Sequence, residues 1–227
     1  MDDRIALIVA NGESPSPEVL DYLWNRVDLC VACDGGALVL SQQGKVPHWV
    51  VGDLDSLSPQ LRTQFSPQTF IHIPEQETND LDKAVRFCLQ QKVQTIHVLG
   101  ATGKRCDHFL ANLEVMYKYS SQLLIVMWNA QEYLRCIHDY WEDQVPLGAT
   151  LSLSPLFGGV EKITTQGLVY PLKQQPLLPG RIPIGLSNQV LRNPVSIRLS
   201  AGCLVLSIQQ GLAYLRQSQL PHFRVSA

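Results

Sequence analysis

Asp53 and Asp55 stand two residues apart in Gly52-Asp53-Leu54-Asp55-Ser56, directly after the apolar run 49–52. On an extended segment, residues i and i+2 project to one side, so the spacing predicts two carboxylates offered to one ligand. Hard oxygen donors with room for water suit Mg²⁺ held jointly with phosphates. The plainer alternative is an Asx-turn closing the strand, with Asp55 or Ser56 capping the next turn. Two further acids, Asp34 in Asp34-Gly35-Gly36 and Asp80 in Thr78-Asn79-Asp80, follow other apolar runs. Carboxylates brought together from neighbouring strand ends would repel one another unless a cation sat among them, and this favours the metal reading.

The segment Gly100-Ala101-Thr102-Gly103-Lys104-Arg105-Cys106-Asp107-His108 is the natural phosphate loop. Its glycines let backbone N–H groups approach an anion, and a helix starting near Asp107 adds a positive dipole end. Arg105 can grip phosphate oxygens with two parallel hydrogen bonds. The segment is neither G-x-x-x-x-G-K-[ST] nor G-x-G-x-x-G. A helix cap for Asp107 and a surface position for His108 are the competing structural readings. Lys83, one turn into the helix opened by Thr78-Asn79-Asp80, either serves the same site or lies on a solvated face paired with Asp80.

These residues need a scaffold that collects strand ends. Apolar runs at 5–10, 29–33, 49–52, 69–73, 95–99 and 123–128 alternate with helical patterns near 18–26, 36–43, 59–65, 79–91 and 107–119. The pattern over 79–91 has the clearest helical stripe, with Leu81, Ala84, Val85, Cys88 and Leu89 together. Thr78 or Asn79 is placed to cap it. Such alternation predicts a parallel, Rossmann-like sheet covered on both faces, with ligands beyond the carboxyl ends of its strands. Five successive strand ends carry Gly and charged residues, as that rule requires. After Asn129 the helical periods fade. Short runs at 150–154, 167–170, 195–199 and 203–208 then alternate with turns, as in a small all-β sandwich. The expected division is an α/β domain over 1–130 and a β-sandwich domain over 131–227.

Composition sets the outer limits. Hydrophobic residues make up 45% and charged residues 17% of the 227, a globular balance that excludes disordered and fibrous classes. The net charge of −2 offers no general attraction to nucleic acid or anionic membrane. No apolar run approaches the roughly 20 residues that span a bilayer. The start, Met1-Asp2-Asp3-Arg4 before a short apolar run, does not read as a signal peptide, so a cytoplasmic protein is expected. The six cysteines are scattered. Cys30 and Cys33, three apart on a strand, face opposite ways and cannot share a metal.

Taken in order, Asp34-Gly35-Gly36-Ala37, Gly52–Ser56, Thr78–Ala84 and Gly100–His108 resemble the motifs of the thiamine pyrophosphokinase catalytic domain. Thr165–Leu172 and Gly185–Asn188 resemble that family's thiamine-binding segment. The resemblance runs from about residue 5 to 210. It implies transfer of pyrophosphate from ATP to the hydroxyl of thiamine, with AMP as the other product. It implies Mg²⁺ on Asp53, Asp55 and Asp80 with Asp34 nearby. Arg105, Asp107, Gly100, Thr102, Gly103 and His108 would handle ATP, together with Gly35, Gly36, Thr78 and Lys83. Tyr170 would stack on a thiamine ring, beside Gly167 and Leu168, and Ser187 and Asn188 would contact the pyrimidine. A homodimer with sites at the subunit interface is also implied, and the 139–148 connection looks short for one chain to complete a site alone. The sequence departs from the family pattern at Asn79, inserted between Thr78 and Asp80, and at Lys104, where a third glycine is common. Rival readings of the same residues are another metal-dependent transferase using a nucleotide diphosphate, such as a glycosyltransferase, or a non-catalytic nucleotide sensor.

Overall fold

In the computed structural model, which describes residues 3–129, 131–181, 185–209, 213, 214 and 216, the chain forms two compact units, Met1–Ala130 and Gln131–Ala227.

The first unit is built on six strands. They are β1 (Ile5–Val9), β2 (Leu29–Cys33), β3 (Trp49–Gly52), β4 (Phe70–His72), β5 (Thr95–Leu99) and β6 (Leu124–Trp128). Their spatial order is β4-β3-β2-β1-β5-β6, and every pair is parallel. Every residue of β1, β2, β5 and β6 is buried, the near-continuous apolar pattern of strands covered on both faces. Each fully buried aliphatic side chain is worth roughly 1.5–3 kcal/mol, so the centre of this sheet carries much of the unit's stability. The chain steps outward from β1 to β4 and then returns to β1's other side as β5. That reversal is the switch point at which open sheets bind ligands.

Five helices connect these strands: α1 (Pro17–Trp24), α2 (Gly36–Gln42), α3 (Pro59–Arg62), α4 (Asp80–Gln90) and α5 (Cys106–Tyr119). Asn79 caps α4, its side-chain oxygen accepting from the Asp82 N–H at 2.9 Å. Leu81, Ala84, Val85 and Cys88 are buried as the stripe requires. Two polar neighbours, Asp82 and Lys83, are buried with them. Asp82 can be buried because Lys118 reaches it at 2.7 Å and the Tyr119 hydroxyl at 3.1 Å. None of the six cysteines is in a disulfide, and Cys30 and Cys33 are buried.

The second unit is antiparallel. β7 (Glu132–Ile137), β8 (Tyr140–Asp143), β9 (Thr150–Gln166), β10 (Lys173–Leu177), β11 (Asn188–Gln189), β12 (Val195–Leu199) and β13 (Gly202–Gln209) pair in the order β7-β13-β9-β12-β8, with β10 and β11 also on β9. β9 is the common strand. Its first part pairs with β13 and β11, and its last part with β12 and β10. Two expectations are corrected. Residues 167–170 form a turn with a single bridge, Leu168 to Val190, because Gly167 takes φ +81° and ends β9. The 139–148 segment holds β8 inside the second unit, so its length places no constraint on how the units are joined. No helix among the described residues is long and apolar enough to cross a membrane.

A carboxylate-lined cleft at the switch point

The loops that follow β1 and β5 are knitted together. Gly12 N–H donates to Gly100 O and Glu13 N–H to Thr102 O, both at 2.7 Å. A Cβ on Gly12 would lie 2.2 Å from Gly100 O, so only glycine permits this approach. Lys104 adopts φ +55°, the left-handed conformation that suits glycine. Its ammonium donates to Asn11 O at 2.9 Å and Asn11 Oδ1 at 3.3 Å, which offsets the backbone cost.

These loops border a cleft of about 450 Å³ lined by residues from all five strand ends. Asp34, Asp53, Asp80 and Lys83 line it, and Gly100, Gly103, Lys104, Arg105 and His108 reach it from the segment that follows β5. Gly35 and Thr78 also line it. Gly36 packs behind, where an added Cβ would meet Val9 O at 2.0 Å. Thr102 is buried, with its carbonyl engaged by Glu13.

Asp34 is 3% exposed; its Oδ2 accepts from the Ser56 N–H at 3.1 Å and its Oδ1 has no partner. Lys83 Nζ stands 3.4 Å from Asp80 Oδ1 and 3.8 Å from Asp53 Oδ2. Lys83 therefore faces inward, and the solvated-face alternative does not hold. A hydrogen bond from the Gln76 amide, then one from the Asp55 N–H, lowers the Asp53 pKa. Burial is the largest influence on Asp80 and raises its pKa; Lys83 opposes that, while Asp34 and Asp53 add to it. The site thus holds more negative charge than its own lysine satisfies.

Asp55 is placed differently from the reading based on extended backbone. Leu54 takes φ +66°, so the chain turns after Asp53 and the two side chains do not share one side of a strand. The Asp55 N–H donates to Asp53 Oδ1 at 3.2 Å, an Asx-turn, and its own carboxylate is exposed. Arg105 and Asp107 are both exposed and paired, at 3.1 and 2.5 Å. The Arg105 hydrogen bond is the main reason the Asp107 carboxyl falls to about 2. Among the described residues, no three carboxylates, imidazoles or thiols converge closely enough to hold a metal unaided. Mg²⁺ does not need such a cage, because it keeps waters and uses substrate phosphates as ligands. A buried carboxylate oxygen without a partner, beside two more acids, fits such an ion. Asn11, Gln76 and Asn112 also line the cleft, and the sequence reading missed them as site residues. Asn11-Gly12 at a strand end was a usable signal; Asn112, in mid-helix, had none.

In the second unit, Tyr170 is 67% exposed. Its backbone is clamped by Asn188, whose Oδ1 accepts from the Tyr170 N–H at 3.0 Å and whose Nδ2 donates to Tyr170 O at 2.7 Å. The Asn188 amide is buried and spent on this turn. Gly167 and Leu168 are buried, and exposed Ser187, at φ +54°, donates its N–H to Ser152 Oγ at 2.9 Å.

Residues 20–127 match the family model for the thiamin pyrophosphokinase catalytic domain, and residues 140–204 that for the thiamin pyrophosphokinase vitamin B1 binding domain. Thiamine pyrophosphokinase 1 of Oryza sativa subsp. japonica is 30% identical over 220 residues, covering 85% of this chain and 82% of its own. Thiamine pyrophosphokinase of Bacillus subtilis is 26% identical over 208 residues, covering 88% and 95%. Among solved structures, thiamin pyrophosphokinase from Geobacillus thermodenitrificans aligns with a TM-score of 0.80 at 25% identity, over 93% of this chain and 100% of that one.

Proposed function

The chain belongs to the thiamin pyrophosphokinase family, and we infer from this that it transfers pyrophosphate from ATP to the hydroxyl of thiamine, giving thiamine diphosphate and AMP. The single observation that carries the reading is the occurrence of both family domains, in order, on a chain whose first unit has a carboxylate-lined cleft at its switch point. Neither a glycosyltransferase nor a non-catalytic sensor is favoured by that pairing.

In the proposed mechanism the alcohol oxygen of thiamine attacks the β-phosphorus of ATP in line. The new O–Pβ bond forms as the Pα–O–Pβ bridge to AMP breaks, and the hydroxyl proton passes to a carboxylate among Asp34, Asp53, Asp55, Asp80 and Asp107. Asp53 and Asp80, with Asp34 beside them, would hold Mg²⁺; Asp55 joins them if its turn rearranges around the nucleotide. Bound there, Mg²⁺ would neutralise charge on the phosphates. Arg105 and Lys104 would bind phosphate oxygens, and Gly100 and Gly103 let the loop backbone come close. Arg105 must first exchange Asp107 for phosphate, a swap that an exposed pair makes at little cost. Tyr170 would stack on thiamine, whose thiazolium charge favours an aromatic face. Asn188 would act by holding Tyr170, and Ser187 by contacting the pyrimidine.

The first unit is read as Rossmann-like and the second as a β-sandwich, supported by the parallel order of the one and by β13, buried through Cys203–Leu206, in the other. A homodimer with shared sites, in the cytoplasm, completes the proposal. Incubation with ATP, Mg²⁺ and thiamine tests it. Equal amounts of AMP and thiamine diphosphate are expected; ADP with thiamine monophosphate, or no turnover, refutes it.

A further inference from the structure

Lys83 is an unusual residue to find inside a carboxylate cluster. It is 1% exposed, so its ammonium has been withdrawn from water and depends on nearby oxygens for compensation. Yet neither of its ion pairs is tight. The separations of 3.4 Å to Asp80 and 3.8 Å to Asp53 contrast with 2.7 Å between Lys118 and Asp82 in the same unit. The ammonium is shared between two carboxylates, donating a long hydrogen bond to Asp80 Oδ1 and standing at ion-pair distance from Asp53 Oδ2. Asp34 Oδ1, buried and without a partner, shows that one lysine does not satisfy the cluster. The other cations of the cleft are engaged elsewhere, Lys104 with Asn11 and Arg105 with Asp107.

Charge then decides what the cluster accepts. Three carboxylates against one ammonium leave two negative charges, enough for one divalent cation. That cation must approach an ammonium already buried between two of its ligands, and the low-dielectric surroundings sharpen the repulsion. Phosphate oxygens arriving with the cation cancel the repulsion, since they attract Lys83 as well. From this geometry we propose that Lys83 makes metal uptake depend on nucleotide. It weakens the site for a free divalent cation, and the metal enters and stays only with ATP phosphates. The proposal rests on the reading of Asp34, Asp53 and Asp80 as the magnesium site.

Mn²⁺ alone is the probe, followed by electron paramagnetic resonance on the full chain with and without ATP. The wild type is expected to take up Mn²⁺ tightly only with ATP. Lys83→Met should bind Mn²⁺ without nucleotide at least tenfold more tightly than the wild type, and Lys83→Arg, which keeps the charge, should behave like the wild type. Unchanged or weaker nucleotide-free binding in Lys83→Met overturns the proposal and leaves the magnesium reading intact. Failure of the wild type to bind Mn²⁺ even with ATP overturns both. Thermal melting gives a second readout that does not require a fully stable variant. Mn²⁺ without nucleotide should raise the melting temperature of Lys83→Met by more than that of the wild type, and an equal or smaller rise counts against the proposal.

Discussion

Asn79 and Asn112 are joined side chain to side chain, Asn79 Nδ2 donating to Asn112 Oδ1 at 3.2 Å. Asn79 caps α4 with its other side-chain atom, and Asn112 donates onward to Ala101 O at 2.9 Å. Two amides thus tie the helix carrying Asp80 and Lys83 to the loop that follows β5.

Asn112→Leu should cost about 1–3 kcal/mol of stability, because it strands the buried Ala101 carbonyl and one Asn79 donor. If the tie also sets the loop's position, KM for ATP should rise while KM for thiamine stays put. Denaturant unfolding and steady-state kinetics check the two halves of this expectation. A stability loss with both KM values unchanged would reduce the tie to a structural brace.

Asp53→Asn should lower turnover by several orders of magnitude while the protein remains folded. Asp53 is half-buried, accepts from Gln76 and the Asp55 N–H and faces Lys83 at 3.8 Å, and the amide has the same size and shape as the carboxylate. Near-normal activity at ordinary magnesium concentrations would remove Asp53 from the proposed magnesium ligands.

Tyr170→Ala should raise KM for thiamine several-fold to tens-fold and leave KM for ATP nearly unchanged, as expected from about 0.5–2 kcal/mol of stacking. With Tyr170 67% exposed, the melting temperature should hardly move. Equal effects on both substrates would argue against stacking.

Glu75 accepts hydrogen bonds from Thr78 Oγ1, from the Glu77 N–H at 2.8 Å and from Arg86 at 2.5 Å. Led by the Thr78 bond, these lower its pKa from 4.5 to about 2. A depressed carboxyl contributes stability above its unfolded pKa, and that contribution is lost as pH falls through the folded value. Glu75→Gln should therefore be less stable than the wild type at pH 6 and converge with it near pH 2 in denaturant titrations. A difference that stays constant with pH would mean the charge is irrelevant.

Mixing Asp53→Asn with Tyr170→Ala/Asn188→Ala tests whether a site draws on two subunits. With random exchange at equal mixing, up to about a quarter of wild-type activity should return, since half the dimers are mixed and each carries one intact site. Mass measurement must first show mixed dimers; no recovery in them would place both halves of a site on one chain.

The sequence showed the parallel scaffold because buried strands and a striped helix leave strong apolar periods, and it showed the strand-end polar residues because a sheet edge collects them. Backbone choices at single residues were not legible. Nothing in Asp53-Leu54-Asp55 announces a left-handed leucine, so the i, i+2 argument assumed an extension that the chain abandons. Lys83 was ambiguous because helical spacing gives a direction without saying whether that face meets water or acids. The strands β8 and β10 escaped notice because Tyr140–Asp143 and Lys173–Leu177 lack an apolar alternation; their places are set by pairing with β12 and β9.

The two rungs between Asn11–Glu13 and Gly100–Thr102 also limit how this chain can vary. Lengthening either loop alone would slip the register and drive a side chain or carbonyl into the place Gly12 leaves open. Insertions in descendants of this sequence should therefore collect in turns free of that lock, such as the glycine turn at Gly44, where an added Cβ would meet nothing. Length variation and the geometry of the cleft are in this way kept apart along one chain.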